Sequence, residues 1–143
     1  MAEVARSVPN TWAAHEKLAQ TPQGLGIHAA VLDIDIGPLL QTQKLLDSVI
    51  FARRRGVARP LTAAELEMMN LAGDGNGLDM IMMPAAMRGE VPTSNFFQRA
   101  GYELNPVANR NAVVDKMLAS VSTKMDREIN LHGARDMAEA YPK

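Results

Sequence analysis

The chain has 143 residues, 47% of them hydrophobic and 22% charged, with a formal net charge of -1 and no cysteine. That size and balance fit one globular helical domain spanning 1–143 with a real apolar core, outside the disordered range. The composition excludes disulfide frameworks, thiolate metal sites and cysteine nucleophiles, and it offers no overall basic face for nucleic acid.

Residues 1–10 read as a loose N-terminal arm without the apolar region of a signal peptide. No apolar run reaches the ~18 residues of a membrane span. The expected location is therefore cytoplasmic, with leaderless export left open. Asn10 or Thr11 starts a short helix that runs through Ala19. The run from Thr21 to Gly26 reads as punctuation, because Pro22, Gly24 and Gly26 interrupt regular structure. Residues 29–36 are rich in β-branched side chains and alternate in their second half. They read equally as a short extended segment or as a helical start.

Gly37-Pro38 opens a well-marked helix, since proline suits the first helical position. Leu39, Leu46, Val49 and Ile50 make an apolar stripe along it. Arg53, Arg54 and Arg55 fall in its last turn, where cations meet the negative end of the helix dipole, and Gly56 suits a left-handed cap. With Arg59 they form the densest basic cluster. Helix-end compensation is its leading reading, and an anionic partner is the alternative.

Thr62-Ala-Ala-Glu65 is a capping box, and the helix it starts ends near Ala72. Gly73 to Gly77 is expected to turn, with Asp79 capping a helix from Met80 to Arg88 that Pro84 splits or kinks. Ser94 caps a short helix that ends at Gly101. Asn105-Pro106 begins the longest helix, lined by Val107, Val114, Leu118, Val121 and Met125 and ended by His132-Gly133. Residues 134–141 add one or two further turns. The whole predicts a mostly α fold, an irregular bundle of about five or six helices.

Gly73-Asp-Gly-Asn-Gly-Leu-Asp79 is the most distinctive segment. Asp74, Asn76 and Asp79 supply oxygen ligands of the kind Ca²⁺ or Mg²⁺ prefers, which makes them candidate metal ligands. Counted as an EF-hand loop from Asp74, the sixth and twelfth places hold Asp79 and Ala85 instead of glycine and glutamate. Val31-Leu-Asp-Ile-Asp-Ile36 resembles the first motif of haloacid-dehalogenase-type phosphatases, and Gly73 to Asp79 resembles their fourth. The resemblance implies a parallel sheet, Asp33 as nucleophile, Asp35 as general acid, and Asp74 and Asp79 holding Mg²⁺. Read without it, Asp33 and Asp35 are two solvated acids on one face of a short segment. His15, His28 and His132 show no helical metal-ligand spacing and read as surface or cap residues.

Ten methionines are present, and Met68, Met69, Met80, Met82, Met83 and Met87 sit within one short stretch. Flexible thioethers fill irregular cores, and the same plasticity suits a surface that accepts partner helices. The leading expectation is therefore a small helical interaction domain, not an enzyme and without a resident cofactor. It would bind a partner protein through Met80, Met82, Met83 and Met87. A metal-assisted phosphoester hydrolase and a Ca²⁺-binding helical domain are the alternatives. Membrane partners are not expected, and the oligomeric state is open.

Overall fold

Side-chain caps and prolines mark where several of the helices begin. The computed structural model describes residues 12–140. The expected arm at 1–10, the caps Asn10 and Thr11, and Tyr141 lie outside these residues. Ten α-helices and one 3-10 turn make up the described fold. In order they are α1 (Trp12–Ala19), α2 (Pro22–Leu32), α3 (Ile36–Arg54), α4 (Ala63–Ala72), α5 (Asp74–Met82), α6 (Ala85–Arg88), the 3-10 turn Thr93–Phe96, α7 (Arg99–Glu103), α8 (Pro106–Arg110), α9 (Val114–Glu128) and α10 (His132–Ala140). The fold is mostly α, as the hydrophobic periodicity predicts. There are more helices than expected because α6, α7 and α8 have only four or five residues each. The helices fall into two compact units, Met1–Phe51 and Ala52–Lys143.

In the first unit, Thr21-Pro22 is a start signal and not punctuation. The Thr21 hydroxyl accepts the Gly24 N–H at 3.1 Å, and Pro22 stands in the first turn of α2. Residues 29–32 continue α2 to Leu32, so neither the extended segment near 29–36 nor the strand of the phosphatase resemblance forms. A strand needs a neighbour to take its backbone hydrogen bonds. The one β-pairing among the described residues is the isolated bridge between Pro92 and Val113. The next helix starts at Ile36, two residues before Pro38.

The second unit begins inside the last turns of α3. Gly56, at φ 92°, closes the helix with two hydrogen bonds. Gly56 N–H donates to Arg53 C=O at 3.0 Å, and Val57 N–H donates to Ala52 C=O at 3.0 Å. This is the paired six-to-one and five-to-two closure of a Schellman motif. The Thr62–Glu65 box forms as predicted, with Thr62 Oγ1 accepting Glu65 N–H at 3.2 Å and Glu65 Oε2 accepting Thr62 N–H at 2.9 Å. Arg59 lays its guanidinium on the same carboxylate, Nη1 to Oε2 at 2.8 Å. That bond, reinforced by the box, holds the Glu65 carboxyl below the usual carboxylate range.

Gly73 to Gly77 is not a turn. Gly73 alone carries the reversal, at φ 84° and ψ 155°, a region open essentially to glycine. Helix α5 resumes at Asp74 and runs through Asp79, which therefore caps nothing. Gly77 is buried against α4, where a Cβ would come within 2.4 Å of Met69 Cα and 2.7 Å of Met68 O. The two backbones touch there because no side chain intervenes. Met68, Met69, Met80, Leu78 and Ile81 are buried around this contact.

Pro84 does split the following segment, since α5 ends at Met82 and α6 starts at Ala85. Arg88 reaches back and satisfies carbonyls freed by the break, Ile81 O at 2.8 Å and Met83 O at 2.9 Å. Helix-capping at Ser94 is not seen. Residues 93–96 form a 3-10 turn, and Gly101 lies inside α7. Asn105 caps α8 as predicted, accepting Val107 and Ala108 N–H at 3.1 and 3.2 Å. The long helix expected from it is interrupted after Arg110, which leaves α3, at 19 residues, the longest among the described elements. The interruption lets 112–114 pair with 91–93, through Thr93 N–H to Ala112 C=O and Val114 N–H to Val91 C=O. Buried Thr93 adds a bond from its hydroxyl to Ala108 C=O at 3.0 Å. Helix α9 then packs on α4 through buried Val114, Met117 and Val121, with Lys124 paired to Glu67 at 3.1 Å. His132 begins α10 and does not end α9.

The three alternating glycines give a sharp test. Gly77→Ala is expected to destabilise the second unit by about 3 kcal/mol, because backbone and not a flexible side chain blocks the new methyl. Gly73→Ala costs about 1–3 kcal/mol through its φ. Gly75 has nothing within 4 Å of an added Cβ, so Gly75→Ala should stabilise by about 0.5–1 kcal/mol. Urea unfolding of the three variants measures the order. A second test concerns acid. A carboxyl held below its ordinary range contributes stability above that range and loses it as pH falls. Glu65→Gln should cost about 1 kcal/mol near neutral pH through the lost cap and should flatten the acid fall, read by thermal melts from pH 7 to 3.

Candidate functional site

The acids nominated by the sequence are occupied by helix geometry. Asp33 terminates α2, and its Oδ1 accepts the N–H groups of Asp35 and Ile36, each at 2.9 Å. It thus caps the start of α3, the local alternative that short acidic side chains offer the backbone. Asp35 lies exposed in the turn between the two helices. The pair stands in a turn and not on one face of a strand. The nucleophile and general acid implied by the phosphatase resemblance therefore lack the sheet that would aim them.

Asp74, Asn76 and Asp79 all lie on α5. At 100° per residue, Asn76 stands about 200° and Asp79 about 140° around the helix from Asp74, so their side chains diverge. A loop that folds its oxygens around one ion is absent at this segment. Asp74 sits in the first turn, where the helix dipole favours an acid. Asn76 Nδ2 donates to Phe96 C=O at 2.8 Å and ties α5 to the 3-10 turn. Asp79 is exposed. Among the described residues, no group of three His, Asp or Glu side chains is placed to hold a metal ion.

His28 is exposed, and His132 Nδ1 meets Asp136 Oδ2 at 2.8 Å one helical turn on. The sequence reading missed that carboxylate spacing. The His15 side chain lies outside the described residues. Of the arginine cluster, Arg59 is committed to Glu65, while Arg53 and Arg54 stand exposed in the last turn of α3.

The methionines divide. Met68, Met69, Met80 and Met117 are fully buried, so the cluster chiefly builds the core. Met80 is thereby removed from the expected partner-binding set, because α5 turns it inward beside Gly77. Met83 is half-buried, and Met82 and Met87 are exposed on either side of Pro84.

The larger exposed apolar surface lies elsewhere. Leu25, Val31 and Leu32 of α2, Ile34 of the turn, and Ile36, Leu39, Leu46 and Ile50 of α3 are all exposed, Leu32 at 75% and Ile34 at 87%. Helix α2 carries no charged residue in its 11. A helix apolar all round is ordinarily covered by something. On α3, Ile36, Leu39, Gln43, Leu46 and Ile50 follow one another by three, four, three and four residues and so share one side. Ser48 and Ala52, on the opposite side, are buried. Sequence reasoning named Leu39, Leu46 and Ile50 but not their exposure. The charge-free run from Pro22 to Leu32 was the signal available.

No family model, curated protein or solved structure matches the chain. Among the described residues, no helix is long and apolar enough to cross a membrane.

The division of the methionines can be measured directly. Met80→Ala should cost about 2–5 kcal/mol, the range for truncation inside a packed core. Met82→Ala should stay within about 0.5 kcal/mol. Equal costs in chemical denaturation would contradict the burial difference.

Proposed function

We propose that this chain is a protein-docking domain whose contact surface is made by the exposed apolar side chains of α2 and α3. One observation carries the reading. Among the residues of the first unit whose burial is described, no large apolar side chain is fully buried, while eight of them are exposed. Apolar area left in water is stabilised by about 25 cal/mol for each Å² that a partner covers. Monomeric proteins rarely leave contiguous apolar patches beyond a few hundred Å² unless these bind something. The flanking charges fit the same role. Asp33, Asp35, Arg53 and Arg54 rim the face with both signs, and a charged rim sets orientation more than affinity. Met82 and Met87 of the second unit offer a smaller apolar surface of the same chemistry.

The test is chemical crosslinking in the source cell followed by capture, comparing the native chain with Leu39→Glu/Ile50→Glu. Both positions are exposed, so helicity and melting temperature should hold while the captured proteins disappear. An unchanged set of captured proteins would falsify the reading.

A further inference from the structure

Resting on the docking reading, we infer that the occupant of the α3 face is a second copy of this chain, bound with its α3 antiparallel. The alternation of three and four from Ile36 to Ile50 averages 3.5 residues, the spacing at which two helices keep a seam in contact. A copy of the same chain necessarily presents the same seam. The charges then choose the direction. Asp35 lies just before α3, and Arg53 and Arg54 close it, all three exposed. Parallel copies would bring arginine against arginine and acid against acid. Antiparallel copies set Asp35 beside Arg54 of the second copy, and the two-fold axis repeats the pair. The helix dipoles oppose each other in the same arrangement.

The register follows from that charge match. Its centre falls between Lys44 and Leu45, so Leu39 of one copy faces Ile50 of the other, and Leu46 faces Gln43. One N–H of the Gln43 amide enters the seam already partnered, donating from Nε2 to Asp47 Oδ1 of its own helix at 3.0 Å. A polar residue so placed fixes register at some cost in stability. The interface is self-complementary, as two-fold symmetry requires. Leu39, Leu46 and Ile50 of each copy fill it, with Ile36 opposite the stem of Arg53, so the interface is small and a reversible dimer of micromolar affinity is expected.

The absence of cysteine makes the arrangement directly measurable on the full chain. Light scattering at about 100 µM chain should return twice the 15.5 kDa chain mass. Leu46→Glu should return it to the single mass with its circular dichroism unchanged. Under mild oxidation, Leu39→Cys/Ile50→Cys should form a crosslinked dimer. Neither single-cysteine variant should do so, because like positions lie about 16 Å apart along the antiparallel axis, beyond disulfide reach. Asp35→Arg and Arg54→Asp should each weaken the dimer about threefold, and the two together should restore it. A chain that stays monomeric, single cysteines that crosslink as well as the pair, or a charge reversal that fails to restore association overturns the proposal. A monomer whose Leu39→Glu/Ile50→Glu variant still loses its captured proteins overturns only the self-pairing and leaves the docking reading standing.

Discussion

The second unit depends on one contact, the backbone of Gly77 against the backbone of Met69 on α4. Two helices whose chains touch are closer than the 8–10 Å usual between helix axes with side chains at the crossing. Their flanking side chains must then pack sideways around the contact instead of through it. Unbranched methionines suit such an irregular space, and Met68, Met69 and Met80 fill it. Helix α9 lies on α4 beside them, with Val114, Met117 and Val121 buried. The pairing of 91–93 with 112–114 then ties the intervening short elements to the start of α9.

The first unit has a like contact, buried Gly24 against the Leu18 and Ala19 backbone of α1, but no core of large apolar side chains around it. Its helices α1 and α2 pack on each other, and its fully buried residues among those described are Gly24 and Ser48. A segment of this size gains little from its own burial. Segments near this limit normally lean on disulfides, metals or association. Covering its exposed apolar side chains, as the docking reading proposes, would add the burial that the segment lacks.

Local chemistry was legible in the sequence, and tertiary override was not. Thr62–Glu65, Gly56 and Asn105-Pro106 each satisfy backbone groups within a few residues of themselves. Their types alone therefore announced a cap. Gly73 to Gly77 misled because glycine has two uses with one appearance. Gly73 supplies a positive φ, while Gly77 supplies the absence of a side chain toward a helix found only in three dimensions. Asp33 misled in a related way, since a carboxylate capping a helix and a carboxylate awaiting substrate look alike in a string of letters. The break after Arg110 was invisible because the strand-like pairing that accompanies it, with Val91 and Thr93, involves residues some twenty positions back. Leu39, Leu46 and Ile50 of the exposed side of α3 were read as a stripe, together with half-buried Val49 and without Ile36. Which side of a helix ends up covered is a property of the packed molecule.

The single-residue link at Gly73 also bears on the order in which the unit assembles. Helices α4 and α5 meet across almost no intervening chain, so closing that hairpin sacrifices little loop entropy. The α9 contact, by comparison, spans 57 residues at the Lys124–Glu67 pair. Contacts local in sequence form early, and distant ones wait for them. The hairpin is thus the expected nucleus, with helix α9 docking later onto the surface that the glycine contact shapes.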